Sequence, residues 1–152
     1  MAHASTIEVT GNTIAVLGGG FNNIYPIENT ELFHNIIKYG GLVITEHEPD
    51  EHAKSKNFPI RNRIVSGLSK GVLVVESKYR SGASLTATIA NGQGKPVFCL
   101  PTNIDNKNNR TNELIQKGAK LIINSNEIME VCKIEERAVP MGTGLSLLAR
   151  LD

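Results

Sequence analysis

Three short segments hold the residues best suited to binding an anion. In Arg80-Ser81-Gly82-Ala83-Ser84, an arginine and two hydroxyls flank a glycine just before a run rich in small residues. A helix starting there offers backbone N–H groups with no intrahelical partner and partial positive charge, which is a ready phosphate site. Ser81 and Ser84 also suit the plainer role of helix caps, but a cap asks for neither Arg80 nor Gly82. The second segment, Asn57-Phe58-Pro59-Ile60-Arg61-Asn62-Arg63, brings two arginines to the expected start of a helix. Cations cost about a few tenths of a kcal/mol there, because the dipole favours acids, so a guanidinium fork for phosphate is the reason to keep them. Phe58 either stacks a base, worth about 1–3 kcal/mol, or plugs the loop beneath it. The third segment, Gly18-Gly19-Gly20, is either a phosphate contact or a turn; position 23 is Asn23, so the dinucleotide pattern G-x-G-x-x-G is not met.

Catalytic sets are missing. The sequence has no G-x-S-x-G, no H-E-x-x-H and no G-x-x-x-x-G-K-[ST]. His47 and His52 stand among Glu46, Glu48, Asp50 and Glu51, but loop acids are ordinarily solvated, and neither metal nor cofactor is expected. Glu76, at a strand end, suits an acid or base and equally suits orienting Arg61, Arg63 or Arg80.

Charge is unevenly distributed along the chain. The net charge is +1, yet residues 54–80 hold seven basic residues against Glu76 alone, a net of +6 that leaves −5 for the rest. One basic segment on an otherwise acidic chain points to a localised anionic partner, unless it is simply a solvated face.

These segments sit in the loops of a regular pattern. Apolar runs at 13–17, 42–45, 72–75, 97–100 and 121–123 are apolar throughout, as in parallel strands covered on both faces. Between and after them, helical spacing is read over 28–39, 62–68, 84–91, 111–117 and 125–132, the last with Ser125 as its cap. The expectation is an α/β fold, doubly wound, with a mostly parallel sheet and helices on both faces, whose ligand crevice lies beyond the carboxyl ends of the strands. The 152 residues suit one domain over 1–135, followed by a weakly ordered extension over 136–152. No apolar run approaches the roughly 20 residues of a membrane span, so no membrane association is expected. Cys99 and Cys132 have neither disulfide-framework nor metal spacing, which fits reduced thiols in a cytoplasm.

Several segments, in order, resemble the DNA-processing protein A (DprA/Smf) family. They are residues 13–18, then Ile24-Tyr25-Pro26 with Glu28-Asn29, Asn57-Phe58-Pro59 with Arg61-Asn62-Arg63-Ile64, Gly71 to Glu76, Arg80 to Ala87, and Asn112-Glu113-Leu114-Ile115 with Gly118-Ala119. Together they span about residues 1 to 132. The resemblance implies a Rossmann-like, non-enzymatic protein of natural transformation and recombination. Such a protein binds and shields incoming single-stranded DNA, helps load a RecA-type recombinase and forms a homodimer. By motif, DNA contacts fall on Asn57, Phe58, Arg61, Asn62, Arg63, Arg80, Ser81, Gly82 and Ser84. The family's domain starts earlier, with a strand, a G-S-R loop and a G-I-D-x-x-A-H segment whose tail Met1-Ala2-His3 resembles. The resemblance thus implies that the first strand and one phosphate loop fall outside this sequence.

Two other readings stay open. The same superfamily includes nucleotide-cleaving phosphoribohydrolases of the lysine-decarboxylase-like LOG group, whose P-G-G-x-G-T signature is absent here. The third reading is an assembly fragment that only dimerises.

Overall fold

The computed structural model describes residues 2–9, 12–78, 81–106 and 109–134. Arg80 and the extension expected over 136–152 lie outside them. The chain divides into two compact units, the first running to Arg61 and the second starting at Asn62.

In the first unit, helix α1 (Ala2–Val9) precedes strand β1 (Ile14–Val16). A 3-10 turn (Ile27–Asn29) and helix α2 (Thr30–Lys38) then lead to strand β2 (Leu42–Ile44). The two strands pair in parallel, Ile14 opposite Leu42 and Val16 opposite Ile44. Helix α2 is amphipathic and buries Ile36. It stops where Gly40 takes φ +87°, a value that costs glycine nothing. Helix α1 was not anticipated: Ala-His-Ala-Ser-Thr-Ile-Glu-Val has no apolar stripe, and its internal support is the Thr6 hydroxyl donating to the Ala2 carbonyl at 3.0 Å.

Helix α3 (Asn57–Leu68) begins five residues before the sequence pattern placed it. Pro59 reads as a breaker, but it falls in the first turn, where its missing N–H forfeits no helical bond. Arg61 and Arg63 are therefore the fifth and seventh residues of the helix. They lie beyond the turn in which the dipole penalises a cation, so the dipole argument for phosphate there loses its force.

The second unit continues with strand β3 (Val72–Val74), helix α4 (Gly82–Gly92), strand β4 (Val97–Cys99), helix α5 (Thr111–Gln116), strand β5 (Lys120–Leu121) and helix α6 (Asn126–Cys132). The sheet order is β3-β4-β5, all parallel. Its core joins Val74, Ala87 and Cys99, with Val72, Val97, Leu114 and Ile115 packed around them. Small Ala87 and Ala90 are buried, which lets α4 approach the sheet closely. Strand β5 is shorter than expected and starts one residue earlier. Ser125 does not cap α6: its side chain makes no cap bond, and the Asn124 carboxamide oxygen accepts from the Glu127 N–H instead, at 3.3 Å. The parallel α/β expectation holds in both units.

Candidate functional site

The predicted residues form two groups, one in each unit. In the first unit, the loop after β1 lies against the loop after β2. The Gly20 N–H donates to the Glu51 carbonyl at 2.8 Å and the Asn22 N–H to the Pro49 carbonyl at 2.9 Å. The Thr45 hydroxyl donates to the Gly19 carbonyl at 2.8 Å. The side chains of Asn22 and Asn23 both donate to Asp50. Gly18, Gly19 and Gly20 are buried, and the crowding is specific. A Cβ on Gly20 would stand 2.0 Å from the Glu48 carbonyl oxygen, and one on Gly19 2.7 Å from the Ala53 nitrogen. The glycines allow two backbones to touch, and the Gly20 amide is already spoken for.

The start of α3 docks on the same turn. Buried Asn57 donates through Nδ2 to the Gly18 carbonyl at 2.9 Å. The Phe58 ring packs where a Gly18 Cβ would come within 3.1 Å of it. Arg61 reaches back 45 residues to donate through Nη1 to the Val16 carbonyl at 2.5 Å, and its guanidinium stands 5.7 Å from the Phe58 ring centroid. Burial depresses the Arg61 pKa below its ordinary value, and its buried Nε has no hydrogen-bond partner. Arg61 is therefore a cation clamped at the carboxyl end of β1 that still has donors to give.

Tyr25 tilts against Phe58 with ring centroids 6.1 Å apart and is 66% exposed, whereas Phe58 is partly buried. Sequence reasoning placed base stacking on Phe58 and left Tyr25 unassigned. An aromatic in a polar loop after a strand was the available signal.

Nearby, His47 Nδ1 meets the Glu51 carboxylate at 3.1 Å, and this contact, ahead of Lys54, lowers the Glu51 pKa. Among the described residues no three His, Cys, Asp or Glu side chains gather as metal ligands.

In the second unit, Ser81 is the N-cap of α4, its hydroxyl accepting from the Ser84 N–H at 3.3 Å. The same hydroxyl lies 3.2 Å from that of buried Ser77. Gly82 is exposed, and a Cβ there would meet nothing within 4 Å. Neither crowding nor an unusual φ calls for a glycine at this position. The Ser84 N–H is taken by the Ser81 hydroxyl, while the Gly82 and Ala83 N–H groups have no hydrogen-bond partner among the described residues, beside open space where an anion can approach the backbone closely. Asn62 is half-buried, and Arg63 is exposed with its carbonyl held by the Gln93 side chain at 2.9 Å.

Comparison with known proteins follows the same lines. The family model described as "DNA recombination-mediator protein A" matches residues 1–133. The DNA processing protein DprA of Bacillus subtilis is 42% identical over 140 residues, covering 91% of this chain and 46% of that protein. Protein Smf of Escherichia coli is 44% identical over 131 residues, covering 86% of this chain and 35% of that protein. The chain thus spans less than half the length of these relatives. Among solved structures, DNA processing protein A of Streptococcus pneumoniae superposes with a TM-score of 0.75 at 36% identity, covering 84% of this chain and 45% of that one. The Helicobacter pylori protein, described for its single-stranded DNA binding mode, gives 0.70 at 33% identity, covering 78% of this chain and 54% of that one.

Proposed function

The chain belongs to the DNA recombination-mediator protein A family, and from that premise we propose that it binds single-stranded DNA by its phosphates and does not cleave them. The observation that carries this reading is the start of α4. There the exposed Gly82 and the amides behind it form an open anion cradle that nothing in the fold requires. Ser81 and Ser84 border that cradle, and Arg80 precedes it in sequence. The first unit contributes Asn57, Phe58 and the clamped Arg61, with Asn62 and Arg63 following on the same helix. The glycine turn 18–20 serves as the bed on which Asn57 and Phe58 rest. The description of the Helicobacter pylori relative as a single-strand binder supports the choice of ligand.

In the cell the chain acts within DNA processing in transformation and recombination, in the cytoplasm, as a homodimer that delivers the strand to a RecA-type recombinase. Residues 1–135 are the working domain in this reading. Family membership supports these assignments. No observation favours nucleotide cleavage.

The test is to measure single-strand affinity in Arg63→Ala and Arg80→Ala variants. Each should weaken binding of every sequence alike and flatten its salt dependence. Unchanged affinity in both would remove the arginines from the interface.

A further inference from the structure

Within the second unit, the loop after β3, the first turn of α4 and helix α5 enclose a cleft of about 140 Å³. Its walls are held by backbone bonds. The Arg110 N–H donates to the Ser77 carbonyl at 2.7 Å, and the Asn109 side chain accepts from the N–H groups of Ser77 and Thr111 at 3.0 and 3.2 Å. Among the described residues three cations line it, Lys78, Arg110 and Lys117, against the single acid Glu113. Glu113 is committed to Arg110 through a close ion pair. Lys78 and Lys117 are exposed, and their ammonium groups have no ion pair or hydrogen bond among the described residues. Two ammonium groups beside one neutralised pair give the described lining a net charge of +2, which attracts an anion.

Size and lining narrow the ligand. The cleft is well under the roughly 300–1,000 Å³ of pockets that enclose small molecules, so a whole nucleotide does not fit. Among the described residues its lining is polar and charged apart from Leu114, which suits an anion better than a base. The hydroxyl-bearing Ser77 and Ser84 complete a polar wall. A phosphate group suits all of these features. Ser84 also belongs to the first turn of α4, which makes the cleft continuous with the open helix start at Gly82.

We infer that this cleft is a second phosphate subsite for single-stranded DNA, in which Lys78 and Lys117 hold a backbone phosphate of the strand that the α4 start engages. The inference rests on the single-strand reading above and adds two lysines that no motif assigned.

The experiment uses the full chain, a labelled oligothymidine and fluorescence anisotropy between 50 and 200 mM salt. A Lys78→Ala/Lys117→Ala double variant is compared with a Lys120→Ala/Lys133→Asn control that removes the same charge from exposed positions outside the cleft. Loss of one phosphate contact should flatten the slope of log K against log[salt] by about 0.7, while the control keeps the wild-type slope. A wild type that binds, with a double variant whose slope matches it, overturns the subsite and leaves the helix-start reading intact. A wild type that binds no oligonucleotide at any salt overturns both. A further titration with inorganic phosphate distinguishes the source: NMR shifts at Ser84 and Lys117 saturating below millimolar phosphate, with the oligonucleotide slope unaltered in the double variant, would assign a free-anion site instead.

Discussion

Gly82→Ala separates what the ligand needs from what the fold needs. At this position the backbone is not in the left-handed region, and a new Cβ would meet nothing within 4 Å. Alanine restricts the unfolded chain and favours helix, so the folded state should gain up to about 0.5–1 kcal/mol. For a chain of this size that raises the melting temperature by about 1–4 °C. The added methyl nonetheless occupies the space from which a phosphate reaches the amides of the α4 first turn. Losing one hydrogen bond to a charged group costs about 1.5–3 kcal/mol, or roughly a 10- to 150-fold weakening of single-strand affinity. Differential scanning fluorimetry and anisotropy on the same preparations give both numbers. A variant at least as stable as wild type but with affinity within twofold of it would refute phosphate binding at the helix start. Gly20→Ala is the contrasting case. Its Cβ would lie 2.0 Å from the Glu48 oxygen and 2.2 Å from that of Pro49, so it should destabilise the fold by about 1–3 kcal/mol or more.

Further outcomes follow from the same geometry. Arg61→Ala should lower stability as well as affinity, by about 1–3 kcal/mol in chemical denaturation, because it strips a donor from the Val16 carbonyl and a cation from the Phe58 ring; Arg61→Lys should not restore the fork. Tyr25→Ala should leave the melting temperature nearly unchanged, since the ring is mostly exposed, and weaken oligothymidine binding by about 1–3 kcal/mol if a base stacks there. Burial, then the amino-terminal charge and Arg61, hold the His3 pKa below its ordinary 6.5. The folded chain then binds fewer protons than the unfolded one, so stability should be full above about pH 6.5 and fall as pH drops below it, a loss that His3→Gln should reduce in urea titrations at pH 5 and 7.5. Cys99, buried with its thiol pushed up to about 11, should resist iodoacetamide in the folded protein, with any slow labelling falling on Cys132.

Much of the fold was legible because its signals are local. Apolar runs mark β1 to β4 within a residue or so, and helical spacing marks α2, closed by Gly40, and α4. The misreadings arose where a local rule had two outcomes. Pro59 breaks a helix interior but suits a first turn, which hid the start of α3. Ser125 has the right side chain for a cap and the wrong backbone, at φ −74° and ψ −29°. At the site, residue types announced an anion, but their division of labour depends on contacts far apart in sequence. Nothing near Gly20 reveals that residues 48–51 lie against it, and nothing near Arg61 reveals the Val16 carbonyl. Lys78 and Lys117, 39 positions apart, look like ordinary surface lysines until α5 folds beside the β3 loop.

The central claim is tested most directly by titrating the wild-type chain into a labelled single-stranded oligonucleotide at 50 and 200 mM salt, with unlabelled duplex as competitor. Binding at micromolar concentration or tighter, weakening with salt and poorly displaced by duplex, is the predicted result; a folded protein that leaves the anisotropy unchanged, or that duplex displaces as readily as single strand, would contradict it.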